Sequence, residues 1–149
     1  MKNLIIVLMF TAGLVACNMD DKKPGNVTLS AADKERAASD TSNYTSIAWL
    51  DSTSLDLGKV NKGKLVEVAY RFKNSGNKQL IITDVSAGCG CTIPEKPKEP
   101  YAPGQDGVIK ATFDSKNQHT GPHTKYVTVI ANTSPNPTHQ LNFSVEITE

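Results

Sequence analysis

Gln140-Leu-Asn-Phe-Ser-Val-Glu-Ile-Thr148 alternates without a break: Leu141, Phe143, Val145 and Ile147 are apolar, and the five residues between and around them are polar. Side chains of an extended strand point alternately to opposite faces, so this run predicts a strand with one buried and one wetted face. A helix would need apolar residues near a 3.6 period, which the run lacks. Working outward, Val66, Val68, Tyr70 and Phe72 alternate with Leu65, Glu67, Ala69, Arg71 and Lys73. Ile109, Ala111 and Phe113 do the same against Lys110, Thr112 and Asp114. Leu80 to Val85 and Tyr126 to Ala131 are apolar on both faces, as central strands or strands with capped faces tend to be. Ser46 to Leu50 and Ser54 to Leu57 read as shorter strands.

Turn signals separate these runs. Asn74-Ser-Gly-Asn77 is expected to join two strands as a tight hairpin loop, with Gly76 or Asn77 taking positive φ. Pro103-Gly104 precedes one strand and Ser134-Pro-Asn-Pro137 separates the last two. No helical period of useful length interrupts them, so the chain from residue 44 to 149 is read as all-β. About seven short strands at this spacing predict an immunoglobulin-like antiparallel β-sandwich. Pro94, Pro97, Pro100 and Pro103 fall every third residue, the period of a polyproline II helix. Two readings are open for this stretch. It is an extended connection crossing from one sheet to the other, or a docking ridge from which Lys96 and Glu99 point away.

The chain of 149 residues has sixteen basic and fifteen acidic side chains, a balance that gives no field to hold nucleic acid or an anionic bilayer. Its start is of another kind. Lys2 is followed by an almost wholly apolar stretch, Leu4 to Val15, too short to span a bilayer comfortably and ending in Leu14-Val15-Ala16-Cys17. That tetrapeptide resembles the lipobox of bacterial lipoproteins. The resemblance implies a signal peptide over residues 1–16, cleavage before Cys17, and lipid on Cys17 that anchors the chain to a membrane. Several acyl chains together hold where one binds only marginally. Residues 17–43 are polar, with Pro24-Gly25 near the start, and read as a flexible tether. Within it, Ala31 to Ser39 has the composition for a short helix after Ser30, without a strong apolar stripe.

Further into the domain, Phe72-Lys-Asn-Ser-Gly76, Leu80-Ile-Ile-Thr-Asp-Val85 and Cys89-Gly-Cys-Thr92 resemble the DUF1573 family. So do Pro103-Gly104, the Gly107 to Asp114 strand, Gly121, and Lys125 to Asn132. The resemblance covers most of residues 54 to 147. It implies an immunoglobulin-like domain in the style of the Hydin and major-sperm-protein group, common in lipoproteins of the Bacteroidetes, and supplies no reaction. Asp20-Asp21 after Cys17 resembles, loosely, surface-export signals of that phylum.

With Cys17 lipidated, Cys89 and Cys91 remain as an even pair. A disulfide two residues apart is one reading; its loop is too small to stabilise much, and its exposure would make it readily exchanged. A second reading joins the two thiols with His119 and His123 as a Zn²⁺ or Cu⁺ site, against which Gly121-Pro122 stands, because it breaks any helix that would align the imidazoles. A third treats the sulfurs as small apolar groups or a local clamp at a sheet corner. The chain shows no Gly-rich phosphate loop, nucleophile elbow or Cys-x-x-Cys. The expectation is a non-catalytic binding or structural module without cofactor, metal or small-molecule substrate, lipid-anchored in the cell envelope at the outer membrane. Its partner would be another envelope protein or a glycan. The alternative is a thiol-redox or metal-binding envelope protein that uses Cys89 and Cys91.

Overall fold

The computed structural model describes residues 30–149. The signal segment 1–16, Cys17, Asp20-Asp21 and Pro24-Gly25 lie outside the described residues. The described part holds one α-helix, α1 (Ala31–Ser39), a 3-10 turn over Thr41–Asn43, and eight strands: β1 (Ile47–Trp49), β2 (Ser54–Asn61), β3 (Leu65–Asn74), β4 (Ile82–Ala87), β5 (Thr92–Pro94), β6 (Asp106–Asp114), β7 (Gly121–Ala131) and β8 (Thr138–Thr148). They form two four-stranded sheets, ordered β1-β3-β6-β5 and β2-β8-β7-β4. Neighbours run antiparallel except β2 and β8, which are parallel, so the second sheet is mixed. The immunoglobulin-like sandwich read from the alternation is what the chain forms.

The alternating residues meet between the sheets. Val68, Tyr70, Phe72, Ile109, Ala111 and Phe113 from the first sheet face Val127, Val129, Leu141, Phe143, Val145 and Ile147 from the second, all buried. Each large side chain so buried contributes roughly 2–3 kcal/mol. Phe113 and Phe143 meet edge to face at 5.6 Å, an orientation that adds to area burial because ring edges are positive and ring faces negative. Tyr70 also crosses the gap: its hydroxyl donates to the Asn142 carbonyl at 2.6 Å, and burial pushes its pKa up to about 12.

Three local expectations are corrected. Asn74 to Asn77 is not a hairpin loop, because β3 and β4 lie in different sheets and the chain crosses between them here. Gly76 takes no positive φ; it is needed because a Cβ there would lie 2.1 Å from Thr45 Oγ1 and 2.6 Å from the Ser46 nitrogen. The proline-spaced stretch does not cross between sheets either. It runs from β5 to its neighbour β6 in one sheet, pinned where Leu80 and Tyr101 exchange two backbone hydrogen bonds of 2.9 Å. The passage from the second sheet back to the first falls earlier, between Ala87 and Thr92.

A crossing chain carries peptide groups into the interior, where each must find a partner. Two buried asparagines supply them. Asn132 accepts from the Ile81 N–H at 2.7 Å and donates to the Asn43 and Gln79 carbonyls at 2.7 and 2.9 Å. Asn74 donates to Lys78 and Tyr101 carbonyls at 2.7 and 2.9 Å and accepts from Thr45 Oγ1 at 3.0 Å.

The helix expected after Ser30 is present, with the Ser30 hydroxyl accepting from the Asp33 N–H as an N-cap does. The stretch assigned to the flexible tether is folded from here on. Lys34 is buried, and its ammonium donates to the carbonyls of Pro97 and Lys98. Those contacts replace lost water, while burial still lowers the lysine pKa against the opposing pull of Glu99.

Asn132→Ala removes an acceptor and two donors from buried peptide groups. It is expected to cost about 2–4 kcal/mol in urea unfolding, because unpaired buried groups carry their full desolvation cost. A loss under about 0.5 kcal/mol would mean that the crossing segment is held by other means.

Candidate functional site

The passage from β4 to β5 turns in four residues, Gly88 to Cys91. Gly88 donates its N–H to the Tyr126 carbonyl at 3.3 Å, and the Tyr126 ring lies directly over it: a Cβ at Gly88 would sit 2.4 Å from the ring. Cys89 and Cys91 follow, and the structure joins them in a disulfide with Cα atoms 5.3 Å apart, inside the usual bridging range. The turn closes as Thr92 N–H donates to Cys89 O at 3.3 Å, and it is tied to β6 by Asp114 N–H donating to Cys91 O at 2.8 Å. Thr92 is buried, with its hydroxyl 3.7 Å from Cys89 Sγ and 4.0 Å from Cys91 Sγ.

Gly90 makes no special demand, since it takes no positive φ and a Cβ there would meet open space. The bridge therefore forms without the strained glycine turn that the short spacing suggests. Its loop of three residues restricts the unfolded chain by only about 1.5 kcal/mol on the entropy model. The sulfurs stand at the corner where one sheet hands over to the other. Cys91 packs against the core, whereas Gly88 and Gly90 on either side of Cys89 are exposed.

Large apolar side chains stand exposed around this corner. Ile93, two residues past the bridge on β5, is 66% exposed, and Leu65 at the start of β3 is 70% exposed. Leu65 pairs with Asp114, which pairs in turn with Cys91, so bridge and leucine are two strand spacings apart, about 10 Å. Tyr126, on the second sheet, is 44% exposed. Among the described residues no strand neighbours the edge of β5 beyond Ile93. The sequence hinted at Leu65, a leucine in the polar phase of the β3 alternation. β5 is only three residues long and ends in proline, too short to read as a strand.

The other candidates lie apart. His123 and His119 form their own local contact, the His123 imidazole Nε2 lying 2.7 Å from the His119 carbonyl. Among the described residues no three or more His, Cys, Asp and Glu side chains gather into a metal-binding set. On the proline-spaced stretch Lys96 is exposed, but the carbonyls of Pro97 and Lys98 are taken up by Lys34. A groove of about 740 Å³ opens there between α1, Asp84, Ile130 and Lys96. Asp51, held down to about 2 by its bonds to Arg71, forms a surface ion pair that fixes the β1 end.

A family model described as a protein of unknown function (DUF1573) matches residues 48–147. No curated protein matches the sequence. Among solved structures, a protein of unknown function from Porphyromonas gingivalis W83 is similar at a TM-score of 0.62 and 17% identity, over 71% of this chain and 48% of that one. This chain thus spans about half of that protein's length. PapD-like domain 7 of human CEP192 is similar at 0.57 and 13% identity, over 96% of this chain and 99% of that one. The YadV chaperone is similar at 0.51 and 12% identity, over 69% of this chain and 52% of that one. At these identities the likeness concerns fold alone, an immunoglobulin-like sandwich similar to that of PapD-like domains.

Gly90→Ala is expected to leave the bridge intact and stability within about 0.5 kcal/mol, as for surface changes without special features. The double change Cys89→Ser with Cys91→Ser is expected to cost no more than about 2 kcal/mol in urea unfolding. Failure of the double variant to fold would show that the bridge holds the corner together.

Proposed function

The chain belongs to the DUF1573 family, and we propose that it is a lipid-anchored, non-catalytic module that binds another protein of the cell envelope. In this reading residues 1–16 are the signal that exports the chain and Cys17 carries the lipid. The anchor is the outer membrane. The single observation that carries binding is the apolar rim at the β5 corner, where Ile93 and Leu65 stand exposed beside an unpaired strand edge. With the Thr92 N–H bonded to Cys89 and Pro94 carrying no N–H, it is the exposed aliphatic side chains at this edge, and not its backbone donors, that a partner surface covers. Two further features support the reading. A disulfide persists in oxidising compartments such as the envelope, and PapD-like sandwiches include a protein named as a chaperone. A protein partner suits the site better than a glycan, because the rim offers aliphatic side chains where sugars would call for polar and aromatic ones.

Two measurements check the two halves. Alkyne-palmitate fed to cells is expected to label the wild-type chain and move it to the detergent phase, with Cys17→Ser unlabelled and aqueous; a detergent-phase Cys17→Ser variant would refute the anchor. A photo-crosslinking residue placed at Ile93 is expected to give one discrete adduct in intact cells, and the same residue at Gln140, on the outer face of the second sheet, none. Equal adduct patterns at both positions would refute a docking rim at β5.

A further inference from the structure

We infer that the Cys89–Cys91 bridge is a thiol–disulfide exchange site that takes electrons from a protein dithiol docked on the apolar rim. The inference rests on the reading of that rim as a protein-docking surface and adds a chemistry to it. Its basis is the combination of three features in one corner: a half-exposed disulfide, a fold that does not need it, and a hydrophobic seat around it.

Accessibility comes from the turn. Cys89 stands between two exposed glycines, and nothing lies within 4 Å of where a Gly90 side chain would begin, so an attacking sulfur can approach from solvent. Cys91 packs against the core and is the natural leaving group. The Thr92 hydroxyl, 3.7 and 4.0 Å from the two sulfurs, is placed to donate to whichever becomes a thiolate.

Independence from the fold comes from the backbone. The bonds that hold the turn are made by backbone groups and not by the sulfurs: Gly88 N–H to Tyr126 O, Thr92 N–H to Cys89 O, and Asp114 N–H to Cys91 O. The buried Thr92 and the β5–β6 pairing hold the far side of the turn. A three-residue loop gives little entropy back when it opens. Both redox forms therefore occupy the same sandwich, as reversible exchange requires.

A thiolate of the donor attacks Cys89 Sγ, forming a mixed disulfide as the Sγ–Sγ bond breaks, and Cys91 Sγ leaves as a thiolate that takes a proton from water. The donor's second thiol, deprotonated, attacks the donor sulfur of the mixed disulfide and releases Cys89, which is protonated in turn. The donor loses two electrons and two protons and becomes a disulfide; Cys89 and Cys91 gain them. Leu65 and Ile93, both on the outer face of the first sheet, seat the apolar surface that surrounds a protein dithiol, which a small reductant lacks.

The test uses the full chain in detergent, with reduced thioredoxin as the protein dithiol and dithiothreitol as the small one, and alkylation followed by peptide mapping to count free thiols at Cys89 and Cys91. Both reagents are expected to open the bridge while Trp49 fluorescence and far-UV circular dichroism stay native. A Leu65→Glu, Ile93→Glu variant, which removes both apolar anchors, is expected to react with thioredoxin at least about tenfold more slowly and with dithiothreitol unchanged. Thioredoxin lacking its resolving cysteine is expected to be trapped on Cys89. A bridge that resists both reagents until the native signals are lost, or two free thiols in the chain as isolated, would overturn the exchange site. Equal slowing of both reagents in the double variant, or no slowing of either, would overturn the seat while leaving the crosslinking result at Ile93 to decide the docking rim on its own.

Discussion

The two sheets are held by the contact between their inner faces, and the rest of the molecule is arranged around that contact. Phe113 on β6 meets Phe143 on β8 across the gap, flanked by Tyr70, Phe72, Ile109, Leu141 and Ile147, all almost wholly removed from water. Burial on this scale outweighs every other stabilising interaction in the domain. It also dictates the connections. Five of the seven pairs of consecutive strands are divided between sheets, so the chain crosses the edge of the sandwich repeatedly, and each crossing leaves peptide groups that no ladder can satisfy. Asn74 and Asn132 answer this at one end, and among the described residues no buried side-chain polar atom is left without a partner.

At the opposite side of β4 the crossing is made by Gly88 to Cys91, and here the device is covalent. The contrast is instructive. The asparagine corner is buried and saturated with hydrogen bonds, and its atoms have no spare capacity for a ligand. The cysteine corner is half open, its bridge closes a loop of three residues, and its backbone is held without the sulfurs. A bond that adds little to stability and faces solvent is available for chemistry; this is why the two corners, similar in topology, are assigned different roles. The exposed Leu65 and Ile93 sharpen the difference, because a sandwich under pressure only to stay soluble would place polar side chains there.

Much of this was legible in the sequence, and the reason is the period of two. Leu141 to Ile147, Val68 to Phe72 and Ile109 to Phe113 each lie in the core in the phase that their alternation indicates, because strand geometry ties parity to face. What parity does not carry is the partner of each strand. The loop Asn74 to Asn77 has hairpin composition, yet Gly76 is there for the close approach of Thr45, a contact made by residues about thirty positions away. β2 runs parallel to β8, a pairing between the second and last strands that no local signal announces. The helix over Ala31 to Ser39 was readable from Ser30 and its alanines, but its docking was not, because it depends on one lysine finding two carbonyls beyond residue 96. Cys89 and Cys91 stood out by spacing alone; that they sit where the chain changes sheets needed the structure.

The central claim is that the sandwich is held by its apolar core and the corner hydrogen bonds, leaving the Cys89–Cys91 bridge free to open and close. Native-state hydrogen exchange on the oxidised and the reduced chain measures this directly. The expected result is unchanged protection for β3, β6, β7 and β8, with faster exchange on reduction confined to residues 88–94. A fall in protection across both sheets on reduction would contradict the account, because the bridge would then be a staple of the fold.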